Sequence, residues 1–314
     1  MLGNRFCESL ECWQPNTRAC DTACMASKPS DALIDAWKEA AGAVYPWTYD
    51  NMLTGWHLAD GAMSFAPVVD GDFIQCKITD CLNNGTFNPD IDVLFGTNTG
   101  DGATFVYSIP ETLPYNAFKL AVAAIWPKPE GTPEAIVDFY DEAFPPESTT
   151  DGRAPLAQVV NDYLFRCSSE VYGRAISGAG GKVFSYVFDH VYSDSWLLVE
   201  FGLPEVCKTV ACHCEEIPFV FNNTVPSLNA TFTPEEVVLA NQMVAWWANF
   251  ARTGDPNGAN GTKSSSSSLQ GAPEWPAFDG NQRQAMHISA PASYVESDGV
   301  DLCAGFWDSI GYLY

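Results

Sequence analysis

The sequence predicts an α/β fold. Three observations carry that reading. Two strand-like apolar runs, Ile91–Phe95 and Val183–Phe188, read as mostly buried strands. Segments with helical patterning and helix-start signals stand between and after them. No internal repeat and no linker interrupts the chain, so its 314 residues read as one domain or part of one. A hydrophobic content of 46% against 17% charged residues supplies a sizeable core rather than a disordered chain.

Taken in order, residues 3–26 hold four cysteines and end in a turn. Ser30 offers an N-cap oxygen to a helix beginning near Asp31, with Ala32, Leu33, Ala36 and Trp37 on one apolar face. Residues 44–71 are loop-rich and end in a strand, Phe65–Val69, closed by an Asp70-Gly71 turn. The Ile91–Phe95 strand runs into a glycine-rich loop over 96–102. Thr132-Pro133 starts a helix with proline at its first position, and a second helix covers Ala154–Arg166. The Val183–Phe188 strand follows. Thr233-Pro234-Glu235-Glu236 reads as a capping box for the longest helix, in which Leu239, Met243, Trp246 and Phe250 share a face. That helix ends near Thr253-Gly254, a serine-rich surface loop covers 264–268, and a last helix spans about Asp301–Ile310.

The formal net charge of −24 repels phosphate and argues against nucleic acid and anionic membranes as partners. No apolar run reaches the ~18 residues of a membrane-spanning helix. Eleven cysteines with paired local spacing read as disulfides in an oxidising compartment, and no C-x₂-C…C-x₂-C pattern supports zinc. The odd count leaves at least one thiol unpaired within the chain. Sequons at Asn84, Asn222, Asn229 and Asn260 point the same way, toward a secreted glycoprotein. Residues 1–30 lack the apolar run of a signal peptide, so the expectation is a secreted protein whose first part precedes Met1.

Two segments carry candidate chemistry. Asp101 lies in Gly96-x-Asn98-x-x-Asp101-Gly102-x-x-Phe105, directly after a strand. His213 lies in Cys212-His213-Cys214-Glu215-Glu216-Ile-Pro218-Phe-Val-Phe221. A third segment, Trp247-Ala-Asn-Phe250-Ala-Arg-Thr-Gly254-Asp-Pro-Asn257 followed by Trp275-Pro276, is the most distinctive. Together they resemble the type-B carboxylesterases, the cholinesterase-like branch of the α/β-hydrolases, over essentially the whole chain. The resemblance implies the C-terminal portion of an α/β-hydrolase fold, a mostly parallel central sheet flanked by helices, so that residues 1–314 form the C-terminal part of one such domain. It implies that Asp101 is the triad acid and His213 the triad base. It also implies disulfides Cys12–Cys24 and Cys167–Cys303. The family pattern has an acidic residue where Gly100 stands, and a glycine where Cys214 stands.

The third triad role has no candidate. No Gly-x-Ser-x-Gly occurs; the nearest segment, Ala175-Ile-Ser177-Gly-Ala, lacks the first glycine and the strand–turn–helix setting of a nucleophile elbow. The resemblance places the serine and the oxyanion segment in a half preceding Met1. The expectation is therefore a secreted serine ester hydrolase acting on a small-molecule ester without cofactor or metal, of which this chain, inactive alone, supplies acid and histidine. A non-catalytic adhesion or binding module of the same fold is the alternative. His57, His190 and His287 lack motif context and read as structural or surface residues. Asp162 reads either as a member of a secondary polar network or as an exposed helical aspartate.

Overall fold

A computed structural model describes residues 2–44, 69–109, 111–126, 129–194, 204–224, 230–258, 267–280, 282–297 and 302–312. The chain forms two compact units, Met1–Val68 with Pro114–Glu142, and Val69–Leu113 with Ala143–Tyr314. The expected Phe65–Val69 strand falls mainly outside the described residues. The Asp70-Gly71 turn is present: Gly71 takes φ 79°, and Asp70 Oδ1 accepts from the Asp72 and Ile74 amides.

The first unit opens with a helix, Leu2–Ser9, and a two-stranded ribbon pairing Trp13–Gln14 with Ala19–Cys20. Its small core of Cys7, Leu10, Cys12 and Ala36 is too thin to hold so short a segment alone, and disulfides Cys7–Cys20 and Cys12–Cys24 tie it. The four N-terminal cysteines are thus consumed in disulfides. The next helix runs Ser30–Val44, with Leu33 N donating to the Pro29 carbonyl. Ser30 is therefore already helical instead of capping, because Pro29 fits the helix start and lacks the amide that would go unpaired there. Helices Tyr115–Ile125 and Thr132–Asp141 pack together in the same unit, the second with its proline in the first turn, and the Tyr115 hydroxyl donates to Asp141.

The second unit is built on a four-stranded sheet: β1 Val93–Asn98, β2 Val183–Phe188, β3 Gln284–Ile288 and β4 Tyr294–Ser297. The strands lie in that order. β1–β2 and β2–β3 are parallel, and β3–β4 is antiparallel. β1 begins two residues later than the sequence suggests and continues through Gly96-Thr97-Asn98, which read as loop. All six residues pair with β2, and Gly96 is required because a Cβ there would collide with the Tyr186 ring on β2. Ile91 lies outside the strand and is exposed.

Alternation along the strands sorts the side chains onto two faces. Val93, Phe95 and Val183 pack with Ile176 and Phe278. Leu94, Phe184, Tyr186, Phe188, Met286 and Ile288 face the opposite core with Leu239, Met243, Trp246 and Trp275. The first face is covered by a long helical run: α1, Asp101–Val106, leaves β1; α2, Arg153–Val160, passes through a π-helical turn, Asn161–Arg166, into α3, Cys167–Gly178. The helix expected over Ala154–Arg166 therefore continues another twelve residues. Ser177 sits at its end and donates to the Phe278 carbonyl, so it lies on no nucleophile turn.

α4, Pro234–Thr253, covers the other face. Its capping box is complete: the Thr233 side chain accepts from Glu236 N at 3.2 Å, and Glu236 Oε2 accepts from Thr233 N at 2.8 Å. Gly254, φ 69°, ends it. Trp247 and Phe250 pack against the core rather than entering it fully. The following loop is pinned by Asn257, which exchanges two 2.8 Å hydrogen bonds with the Trp275 backbone, while the Trp275 indole donates to Ser185 O. At the end of the serine tract, Ser267–Leu269 is a 3-10 turn that buries Leu269. The last helix is a π-turn, Leu302–Trp307, with a short α-helical end, Asp308–Ile310, and disulfide Cys167–Cys303 joins it to α3.

Candidate active site

The strand end positions the acid. β1 stops at Asn98, and Asp101 opens α1 three residues later. Asn98 N donates to Asp101 Oδ2 at 2.8 Å, which fixes one carboxylate oxygen toward the strand. The other, Oδ1, lies 2.8 Å from His213 Nδ1. Asp101 is 4% exposed, whereas the His213 side chain retains 38% exposure. The acid is thus desolvated and held, and part of the imidazole stays open to solvent.

The histidine comes on a loop that reaches the same strand end. Gly100 forms a parallel bridge with Cys212, and its amide donates to Ala211 O at 2.8 Å. A side chain at Gly100 would strike Val210 Cγ2 at 2.6 Å, so the loop's close approach explains the glycine where the resembling pattern is acidic. Asn98 ties both pieces: its Nδ2 donates to Cys212 O at 2.6 Å and to Glu216 Oε2 at 2.7 Å. Disulfide Cys207–Cys212 closes the loop's base. His213 N donates to Thr104 Oγ1 at 3.0 Å. The ring packs against Phe105 and Phe165, with centroids 5.4 and 5.1 Å away.

The π-turn has a local purpose here. Gly102 lies so close to it that a Cβ would meet Asn161 N at 2.6 Å and overlap Ala157 O. That approach lets α1 and the π-turn share the Phe105–Phe165 stack beneath the imidazole. Asp162 is buried and accepts from Gln158 and Asn161, so it belongs to this polar layer and is not an exposed helical aspartate.

The electrostatics are dominated by carboxylates. The hydrogen bond with Asp101 raises the His213 pKa to about 10; a hydrogen bond with Cys214 adds to it, and burial opposes it. The imidazole is therefore the proton-bearing member of the pair at neutral pH. Burial pushes Glu215, 1% exposed, up to about 8 despite the Cys212 amide it accepts, with Glu216 adding repulsion. Burial also raises Glu216, against the Asn98 hydrogen bond.

Asn98, Thr104, Phe165 and Glu215 were not singled out as site residues from sequence. Asn98 and Glu216 did stand in the two motifs; the contacts of Thr104 and Phe165 come from long-range packing and leave no local signal. Asn84 and Asn222 are exposed, and Asn222 Nδ2 donates to Asn241. Asn229, Asn260 and His57 lie outside the described residues. His190 Nε2 lies 2.9 Å from Glu236, and the His287 ring stacks on Tyr294.

A strand-end acid paired with a loop histidine, on a largely parallel sheet between helices, defines an α/β-hydrolase type of protein. The Carboxylesterase family model matches residues 2–302, and the chain belongs to that family. It is similar to acetylcholinesterase of Gallus gallus, 32% identical over 55% of this chain and 20% of that protein. It is also similar to acetylcholinesterase of Bungarus fasciatus, 29% identical over 78% of this chain and 39% of that protein. Acetylcholinesterase 1 of Caenorhabditis elegans is 27% identical over 74% of this chain and 38% of its own length. The chain thus spans well under half the length of these relatives.

Proposed function

We propose that this chain supplies the acid and the histidine of a serine carboxylic ester hydrolase that is secreted and acts on a small-molecule ester. The observation that carries this is the 2.8 Å contact between Asp101 Oδ1 and His213 Nδ1, with the acid buried and the imidazole partly open. In such a triad, Asp101 holds the Nδ1 proton and stabilises the imidazolium. Nε2 takes the serine proton on attack and returns it to the leaving alcohol. The serine and the oxyanion donors are assigned to sequence outside this chain, whose span within its relatives supports that assignment. We read the chain as the C-terminal part of one carboxylesterase domain. Five disulfides and exposed sequon asparagines at 84 and 222 support an oxidising, glycosylating compartment.

A second reading, a non-catalytic binding module, has one observation in its favour. Cys214 stands where the family pattern has glycine, and the Asp101 hydrogen bond, with Cys214 adding to it, raises His213 to about 10, which leaves the imidazole protonated at neutral pH, the wrong state for a general base.

Hydrolysis of a simple aryl ester separates the two. The 314-residue chain is expected to show no turnover that His213→Ala abolishes. The protein extended by its upstream sequence is expected to turn over, and to lose on the order of 10⁶ in kcat with His213→Ala. Turnover of the extended protein that ignores His213→Ala overturns the triad role. Absence of turnover in the extended protein favours the binding module.

A further inference from the structure

Along the outer face of α4 the side chains are apolar and exposed. Val237, Val238 and Val244 lie there, and all three are helical neighbours of Asn241, four and three residues before it and three after. Phe221, 73% exposed, ends the short helix Ile217–Val220, which packs beside α4. Asn222 joins the two elements, because its Nδ2 donates to Asn241 Oδ1 at 3.2 Å. One asparagine therefore stands in the middle of an exposed apolar surface made by Phe221, Val237, Val238 and Val244. Contiguous apolar surface of this kind marks a place that something covers.

The backbone sets where Asn222 points. The short helix ends in a Schellman turn: Asn223 N donates to Pro218 O at 2.9 Å, Asn222 N donates to Phe219 O at 3.2 Å, and Asn222 takes φ 46°. Asparagine suits that left-handed position. The turn accounts for Asn222, but neither for Thr224 nor for the apolar residues around it. Asn222-Asn223-Thr224 is an acceptor sequence for N-linked glycans, and Asn222 and Asn223 are both exposed. A side-chain amide nitrogen carries two hydrogens. Glycosylation replaces one and leaves the other for Asn241 Oδ1, so the same hydrogen bond aims the first sugar along α4. Charge favours a neutral cover. No Lys or Arg occurs between Lys208 and Arg252, so this stretch offers no cation to an anionic membrane, and a second copy of a chain of net charge −24 is repelled.

We infer that Asn222 carries an N-linked glycan whose first N-acetylglucosamine lies over α4 and covers Phe221, Val237 and Val244. The inference rests on the reading of the protein as secreted through a glycosylating compartment. Asn222 Nδ2 attacks the anomeric carbon of a polyprenyl-pyrophosphate-linked oligosaccharide. The N–C bond forms, the C–O bond to pyrophosphate breaks, the amide gives up one proton, and the lipid pyrophosphate leaves. The C–H groups of the pyranose present an apolar face that packs on valine and phenylalanine side chains. The hydroxyls of the sugar then meet water in place of the valines.

The test uses the protein with its upstream sequence, secreted from a eukaryotic cell line that keeps its glycans high in mannose. Amidase release in heavy-oxygen water followed by peptide mapping marks each occupied asparagine, with the exposed sequon at Asn84 reporting on the compartment. Asn222 is expected to be occupied. Thr224→Ala removes the acceptor and leaves Asn222, its turn and its bond to Asn241 in place. With folding checked by its unfolding transition, Thr224→Ala is expected to raise the fluorescence of an apolar-surface dye about twofold. Adding Phe221→Ser and Val237→Thr to Thr224→Ala is expected to reverse most of that rise. After every glycan is trimmed to one N-acetylglucosamine, the difference between wild type and Thr224→Ala is expected to persist. Asn222 bare with Asn84 occupied overturns the inference and leaves the glycoprotein reading standing, whereas both bare overturns both. Dye binding that ignores Thr224→Ala, a rise that the added substitutions do not reverse, or a difference that vanishes on trimming overturns the packing of the first sugar on α4.

Discussion

Replacing Asp101 with Asn changes a single charge at the centre of the site. The amide keeps an oxygen for the Asn98 amide, so the strand end has no reason to move. Its effect on His213 follows from the contacts. The imidazole is raised from 6.5 to about 10 first by the Asp101 hydrogen bond, then by Cys214, with the Asp101 charge adding more and burial pulling down. The Asp101→Asn substitution would remove both Asp101 contributions and leave burial opposed by Cys214 alone. An opposite charge at this distance typically moves a pKa by about 1–3 units, so the imidazole is expected to fall by about two units toward its ordinary value. Linkage fixes the sign for stability. The folded pKa is raised, so the stabilisation is fully present below about 6.5 and is lost as pH rises through about 10. Wild type should therefore lose its advantage over Asp101→Asn across that window. Imidazole ¹⁵N titration by NMR reads the pKa, and urea unfolding at pH values at either end of the window reads the linkage. An imidazole still titrating near 10 in Asp101→Asn would refute the assignment of Asp101 as the principal partner.

Three further outcomes follow from the same site. Glu215 is raised from 4.5 to about 8, chiefly by burial, so its contribution is present below about 4.5 and is lost as pH rises through about 8. Glu215→Gln should then match wild type near pH 4.5 and exceed it above pH 8, read from urea midpoints; equal midpoints at both values would count against a buried, repelled carboxyl. Cys214→Gly should lower the His213 pKa in the same NMR titration and raise stability by about 1 kcal/mol, because the left-handed backbone no longer carries a side chain. Gly102→Ala should cost about 1–3 kcal/mol in denaturant unfolding, since its methyl meets the π-turn at Ala157 and Asn161; a neutral result would mean that α1 does not approach as closely as described.

Legibility in the sequence tracked the locality of the signal. α4 could be read because everything that defines it lies within its own twenty residues and the cap before them: Thr233 and Glu236 cap each other, and Leu239, Met243 and Trp246 recur on one face. β1 could be detected but not bounded. Gly96-Thr97-Asn98 has loop composition, yet the glycine is there because a tyrosine ring from β2 lies across it, a fact held some ninety residues away. The π-turn at Asn161–Arg166 was invisible for the same reason: α-helical patterning continues on both sides, and only the approach of Gly102 gives the extra residue a role.

The candidate site shows the limit most sharply. Asp101 and His213 were named from their flanking residues, but the atoms that bring them together belong to Asn98, Gly100 and Cys212. Both departures from the family pattern fall at this junction. Gly100 sits at the bridge itself, where any side chain would push the loop off Val210, and Cys214 stands one residue beyond the histidine. The first is set by the loop's close approach to the strand end, since Gly100 carries the bridge to Cys212 that brings His213 within 2.8 Å of Asp101. The second lies on the left-handed backbone that follows the histidine, φ 74°, where glycine is the unstrained residue. Position 100 therefore bears on how the loop is seated, and position 214 on the cost of the conformation that it takes there.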